Sequence, residues 1–137
     1  PKQRTQRVKE VLKAVNLPIT PAFLNRHAFE LSGGQLQRVC IARALASHPK
    51  LLIADEPVSM LDASEQAKVI NVIKNIQNKY GMGLVLISHN LALVRKVADR
   101  ILVMQKGEII EANRSNRLIS QPQQEYTQLL LKAAPKF

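Results

Sequence analysis

Two short apolar runs, LLIAD from Leu51 to Asp55 and LVLIS from Leu84 to Ser88, flank one long amphipathic stretch, and few folds accept that order. Each run is continuous rather than alternating, the pattern of a strand buried on both faces of a parallel sheet. Between them Val69, Ile73, Ile76 and Tyr80 recur at helical spacing, which predicts a helix from Asp62 to Tyr80 ended by Gly81 and Gly83. Leu91 to Val97 reads as a shorter helix and RILVM, from Arg100 to Met104, as another strand. Lys106-Gly107 then forms the turn into a hairpin partner, EIIEA. Strand, helix, strand, helix, strand predicts an α/β architecture with right-handed crossovers.

Helices are expected on either side of this core. Thr5 to Asn16 carries Val8, Val11, Leu12 and Val15 on one side and stops at Leu17-Pro18. Pro18 and Pro21 mark a turn region, followed by a short helix and loop as far as Glu30. Gln35 to Ser47 forms a second helix with Leu36, Val39, Cys40 and Ala44 on one face, stopped by Pro49. Beyond Ala112 the chain becomes polar, with a helix near Ser115 to Ile119, a break at Pro122 and a last helix from about Glu125 to Ala134. The organisation expected is a helical subdomain over 1–48, a strand-bearing core over 49–112 and a tail over 113–137.

With 137 residues, 46% of them hydrophobic and 22% charged, the chain has the composition of one soluble globular domain. No apolar run approaches the ~20 residues of a membrane-spanning helix. The single Cys40 reads as a small core residue in a reducing cytoplasm and allows no disulfide framework. The net charge is +10, but the basic residues are scattered and only 4% of residues are aromatic, so no stacking platform for nucleic acid emerges and no direct nucleic-acid partner is expected. The sequence begins at Pro1 rather than Met, which leads to the expectation of a trimmed or processed piece.

Three places carry chemistry. In LSGGQ, from Leu31 to Gln35, Ser32 and Gln35 have the spacing of a capping box. That box does not require Gly33 and Gly34, whereas bare backbone at a helix N-terminus suits a phosphate. Asp55 and Glu56 stand at the carboxyl end of a predicted parallel strand, where ligands bind in open α/β folds. Alternation along a strand gives them different jobs, one to hold a metal ion and the other to act on water, unless the pair merely caps a loop. His89 follows the next strand at the equivalent edge, where it could hydrogen-bond a terminal phosphoryl group or serve as an ordinary surface histidine. Asp62 reads as a helix N-cap, with Glu65 three residues on.

In this order LSGGQ, LLIADEP, VSMLD and ISHN resemble the signature motif, Walker B segment, D-loop and switch histidine of ATP-binding cassette ATPases. The resemblance covers almost the whole chain. It implies a partial P-loop NTPase fold with a parallel-sheet core, a helical signature subdomain and a short helical tail. It also implies ATP and magnesium as cofactors, with Asp55 on the metal, Glu56 polarising the hydrolytic water and His89 on the γ-phosphate. Ser32, Gly33, Gly34 and Gln35 would close over ATP bound to the opposite subunit of a head-to-tail pair, and Leu61 and Asp62 would line the same interface. PQQEYTQLLLKAAP, from Pro122 to Pro135, is similar to the tail of oligopeptide, dipeptide and nickel importer ATPases. The partners so implied are a second ATP-binding subunit, transmembrane permease subunits and a solute-binding protein, at the cytoplasmic face of the membrane.

There are departures from the family pattern. Asn90 replaces the usual Asp, and Val58 and Met60 replace the commoner Thr and Ala of the D-loop. No G-x-x-x-x-G-K-[ST] occurs in these 137 residues, and the family's Q-loop is missing as well. Two other readings stay open: a non-transport ATPase of the same superfamily acting on nucleic acid or ribosomes, and an inactive regulatory piece.

Overall fold

Asp62 starts an 18-residue helix by accepting hydrogen bonds at Oδ1 from the N–H groups of Ser64, at 2.9 Å, and Glu65, at 3.0 Å. This helix, Ala63–Tyr80, ends where Gly81 takes the left-handed conformation at φ 59° that a side chain would resist. Val69, Ile73 and Ile76 are at most 2% exposed, so the predicted stripe is the buried one, while Tyr80 at its end is exposed. The computed structural model describes residues 2–133 and divides into two units, Pro1–Ile87 and Ser88–Phe137.

The first unit runs α1 (Lys2–Ala14), α2 (Pro21–Leu24), a 3-10 turn (Ala28–Glu30), α3 (Gly33–Leu45), β1 (Leu51–Asp55), α4 (Ala63–Tyr80) and β2 (Gly83–Ile87). β1 and β2 pair in parallel, Leu51 beside Gly83 and Asp55 beside Ile87, joined through α4 as a βαβ unit. Helix α3 packs between α1 and α4. Its buried residues are Gly34, Ile41, Ala42 and Leu45, which corrects the face expected from Leu36, Val39, Cys40 and Ala44. Leu36 and Cys40 are exposed. Apolar side chains surround much of this helix, so periodicity permits two faces and the neighbouring helices select one. Val8 on α1 is likewise exposed, although Val11, Leu12 and Val15 are buried.

The strands also differ from expectation. Leu52 is buried, but Leu51, Ile53, Val85 and Ile87 form one row that is 44–63% exposed, so β1 and β2 are covered on one face within this unit.

The second unit runs α5 (Leu91–Val97), β3 (Arg100–Gln105), β4 (Glu108–Arg114), α6 (Ser115–Ser120) and α7 (Glu125–Ala133). β3 and β4 form an antiparallel hairpin, turned by Lys106 at φ 50° and Gly107 at φ 86°. Two consecutive positive φ angles match the right-handed twist of the flanking strands. Among the described residues β3 pairs with β4 alone, so the parallel sheet has two strands rather than three. The last helix is present as expected; Ala134, Pro135 and Lys136 lie outside the described residues.

Glu111 of β4 holds the start of α7. Its carboxylate accepts the N–H groups of Gln123, at 3.0 Å, and Gln124, at 3.1 Å, and the buried Thr127 faces it as well. Burial acts to raise the pKa of this acid, but the Gln123 N–H, the facing Thr127 hydroxyl and the Gln124 N–H together outweigh it and hold the group below its ordinary value.

Candidate functional site

Ser32 adopts extended backbone and caps α3. Its Oγ accepts from Gln35 N at 3.2 Å, and Gln35 Oε1 accepts from Ser32 N at 3.1 Å, so the predicted capping box is complete. Gly33 and Gly34 are the first two residues of the helix itself, and neither has a positive φ. Their lack of a side chain therefore serves close approach rather than an unusual turn. A Cβ on Gly33 would stand 3.2 Å from Leu61 Cδ2, and one on Gly34 would fall 2.1 Å from Glu65 Oε2 and 3.0 Å from Glu65 Cδ. The loop before α4 and the first turn of α4 thus rest on the start of α3.

That junction is tied by charge. Arg38 donates from Nε to the Gly34 carbonyl at 3.1 Å and from Nη1 to the Asn16 carbonyl at 3.2 Å, while its Nη2 lies 3.8 Å from Glu65 Oε2. Lys68 holds the other oxygen of Glu65 at 2.6 Å. Gln66 Nε2 donates to the carbonyls of Val58, at 3.2 Å, and Leu61, at 3.0 Å, which pins the loop from within. Met60 at its tip is 98% exposed. Sequence reading gave Glu65 only the role of an N-cap neighbour of Asp62 and missed its contact with Gly34. The available signal was Arg38, four residues beyond Gly34 and hence one turn along the same face.

The capping box satisfies its own members and leaves the N–H groups of Gly33 and Gly34 with no acceptor among the described residues. Ser32 and Gly33 are exposed, Gln35 is half-buried and Gly34 is buried. An N-terminus of a 13-residue helix with open donors and a positive dipole end can receive an anion.

Asp55 is the last residue of β1 and is exposed, so its carboxylate is accessible to a hard cation. Among the described residues no group of three or more acidic, histidine or cysteine side chains could cage a metal. A magnesium ion held by one carboxylate and completed by phosphate and water needs no such cage, so Asp55 fits that ion. Glu56 has already left the strand: its φ is 43°, rare for a residue with a side chain and worth about 1–3 kcal/mol of strain. Strand alternation therefore does not govern Glu56, contrary to the sequence-based reasoning. Its N–H donates to Ile87 O at 3.0 Å, and its carbonyl accepts from Ser59 N at 3.3 Å and Ser59 Oγ at 3.2 Å. These bonds hold the half-buried Glu56 in the strained conformation.

His89 lies in the second unit and is exposed. Asn90 N donates to Ser88 Oγ at 3.1 Å, and Asn90 Oδ1 caps α5 by accepting from Leu93 N at 3.2 Å. The first unit thus gathers Ser32, Gly33, Gly34, Gln35 and Asp62 at one helix junction and carries Asp55 and Glu56 at the end of β1. His89 stands at the entrance to α5 in the other.

Comparison with known proteins adds to this geometry. The ABC transporter family matches residues 2–59. The oligopeptide transport ATP-binding protein OppF of Escherichia coli is 44% identical over 98% of the chain. The dipeptide transport ATP-binding protein DppD of Haemophilus influenzae is 43% identical over 99% of it. The chain spans 41% of the length of each. Among solved structures, the ADP conformation of MJ1267, an ATP-binding cassette of an ABC transporter, matches with a TM-score of 0.80 and 27% identity over 94% of this chain and 51% of its own. The dimeric cassette MJ0796 matches with a TM-score of 0.67 and 34% identity over 80% of this chain and 46% of its own.

Proposed function

We propose that this chain, which belongs by sequence and fold to the ATP-binding cassettes of ABC transporters, is the signature and Walker B portion of the ATPase subunit of a peptide importer. The observation that carries the reading is the helix start at Ser32 to Gln35, open to an anion and backed by Leu61 and Glu65, in the same unit as the acids that end β1. OppF and DppD, named for oligopeptide and dipeptide transport, support the peptide as cargo. The dimeric form of MJ0796 supports a second ATP-binding subunit as partner. Transmembrane permease subunits and a solute-binding protein complete the assembly at the cytoplasmic face of the membrane, and no helix among the described residues is long and apolar enough to cross it.

In this reading Ser32, Gly33, Gly34 and Gln35 close over the terminal phosphate of ATP seated on the opposing subunit, with the open N–H groups of Gly33 and Gly34 as donors and Asp62 beside them. Asp55 supplies a charged oxygen to magnesium, which neutralises phosphate charge when bound. Glu56 accepts a proton from the attacking water, and its constrained backbone limits where that carboxylate can reach. His89 hydrogen-bonds the γ-phosphate. No phosphate-cradling G-x-x-x-x-G-K-[ST] occurs in the 137 residues, so the isolated chain is expected neither to hold ATP tightly nor to turn it over.

The test is made in a complete cassette carrying these residues. Glu56→Gln should retain magnesium-ATP and a closed dimer while hydrolysis falls about a hundredfold or more. Asp55→Asn should load poorly, because magnesium prefers a charged ligand. Nucleotide occupancy and subunit association measured together decide the matter: equal loss of binding in both variants, or full turnover by Glu56→Gln, refutes the roles. For the chain alone, micromolar magnesium-ATP binding by calorimetry would contradict the expectation of weak binding.

A further inference from the structure

Arg100 and Arg114 are direct cross-strand partners in the β3–β4 hairpin. Like charges in that relation destabilise a sheet unless something of opposite sign sits with them. Both line a cleft of about 660 Å³ in the second unit, together with Arg95 from the last turn of α5. None of the three makes an ion pair among the described residues. Asp99 is the one acid of the cleft, so three cations against one anion leave a local charge of +2. The Asp99 main chain is engaged, its carbonyl accepting from Ser115 N at 2.9 Å, which ties the end of β4 to the start of β3. Asn116 also lines the cleft. Its Oδ1 is occupied by Arg117 N at 2.7 Å, so its amide NH₂ remains as a neutral donor.

We propose that this cleft is a binding site for a phosphate group, with Arg100 and Arg114 as its paired ligands and Arg95 and Asn116 as flanking donors. Guanidinium forks match phosphate oxygens in bidentate geometry, and an anion between the two strands converts their repulsion into attraction. The site uses none of Ser32, Gly33, Gly34, Gln35, Asp55, Glu56 or His89, so it stands or falls apart from the ATPase reading. The phosphate can be that of a free anion or of a lipid headgroup, and both sources present the same chemistry to the arginines.

The experiment titrates the whole chain with inorganic pyrophosphate by calorimetry. In parallel it measures sedimentation with phosphatidylcholine vesicles, with and without phosphatidylglycerol. Saturable binding of either phosphate source is expected, weakened about tenfold or more in Arg100→Gln/Arg114→Gln, as loss of two charge-assisted contacts requires. Lys2→Gln/Lys9→Gln removes the same net charge from exposed positions of α1 and should leave binding within about twofold, since it tests bulk charge alone. Pyrophosphate binding with no preference for phosphatidylglycerol identifies a free anion, and the reverse identifies a lipid headgroup. Amide shifts of Ser115 and Asn116 during titration of the unsubstituted chain provide a reading that survives if the double variant fails to fold. The proposal is overturned if neither source saturates, if both double variants lose affinity equally, if Ser115 and Asn116 stay unshifted, or if a polyglutamate peptide binds more tightly than either phosphate source.

Discussion

Helices α3 and α7 both receive help at their beginnings, but of different kinds. At α7 a buried carboxylate, Glu111, takes two backbone N–H groups, those of Gln123 and Gln124, and closes the site. At α3 the cap is a neutral serine-glutamine box, and the next two N–H groups, on glycines, are left open. A helix start that receives a carboxylate from its own chain becomes a joint. One that receives only a neutral cap keeps its positive end for an outside anion. Glu65 approaches α3 as well, but its oxygens face Arg38 and Lys68, so its charge is largely countered before it can act as a substitute ligand.

Placing a carboxylate at α3 is the strongest way to break this contrast. Gly33 is exposed, which makes it a cleaner probe than Gly34, where any side chain first displaces Glu65. Gly33→Asp should slow ATP hydrolysis by a complete cassette about a hundredfold, the scale of losing a donor to a transition-state oxyanion. Open-state nucleotide binding by each subunit should change little. Steady-state hydrolysis and filter binding would check it, and normal turnover would mean that the open donors of α3 do not meet phosphate.

The converse change opens α7. Glu111→Ala removes a buried acceptor of two N–H groups and should cost about 2 kcal/mol of local stability. Hydrogen exchange across residues 125–133 should then quicken about thirtyfold, while α3 amides stay unchanged. If both helices lose protection together, Glu111 supports the whole chain rather than one joint.

Acid should act on the same joint more gently. The folded-state pKa of Glu111 lies below its ordinary 4.5. A depressed carboxylate contributes its full stabilisation above the unfolded value and loses it as pH falls through the folded one. Protection of α7 should therefore be flat above about pH 5 and decline below pH 4.5, and Glu111→Gln should remove that dependence. An α7 that stays equally protected to pH 2 in the unsubstituted chain would contradict the assignment. The smallest effect belongs to the neutral box: Ser32→Ala should cost about 1 kcal/mol, read as a small loss of thermal stability in the chain.

Local chemistry was legible without coordinates wherever a residue acts on its near neighbours. Ser32 with Gln35, Asp62 before α4, and the Lys106-Gly107 turn all appear in the structure as their residue types predict, because caps and tight turns close within a few bonds. The βαβ order from Leu51 to Ile87 was equally readable, since the apolar runs are too short for helices and the stretch between them has helical period. Tertiary structure decided the rest. Which side of α3 is buried depends on α1 and α4, because Leu36, Val39 and Cys40 are as apolar as Ile41, Ala42 and Leu45. Why Gly34 is bare depends on Glu65, and how α7 is anchored depends on Glu111, in each case a carboxylate on another element with no sequence period to announce it. Helix and turn preferences are set by bonds a few residues long and survive in the sequence as patterns. A contact between elements exists only once the chain has closed on itself, so folding decides what each of those acids meets.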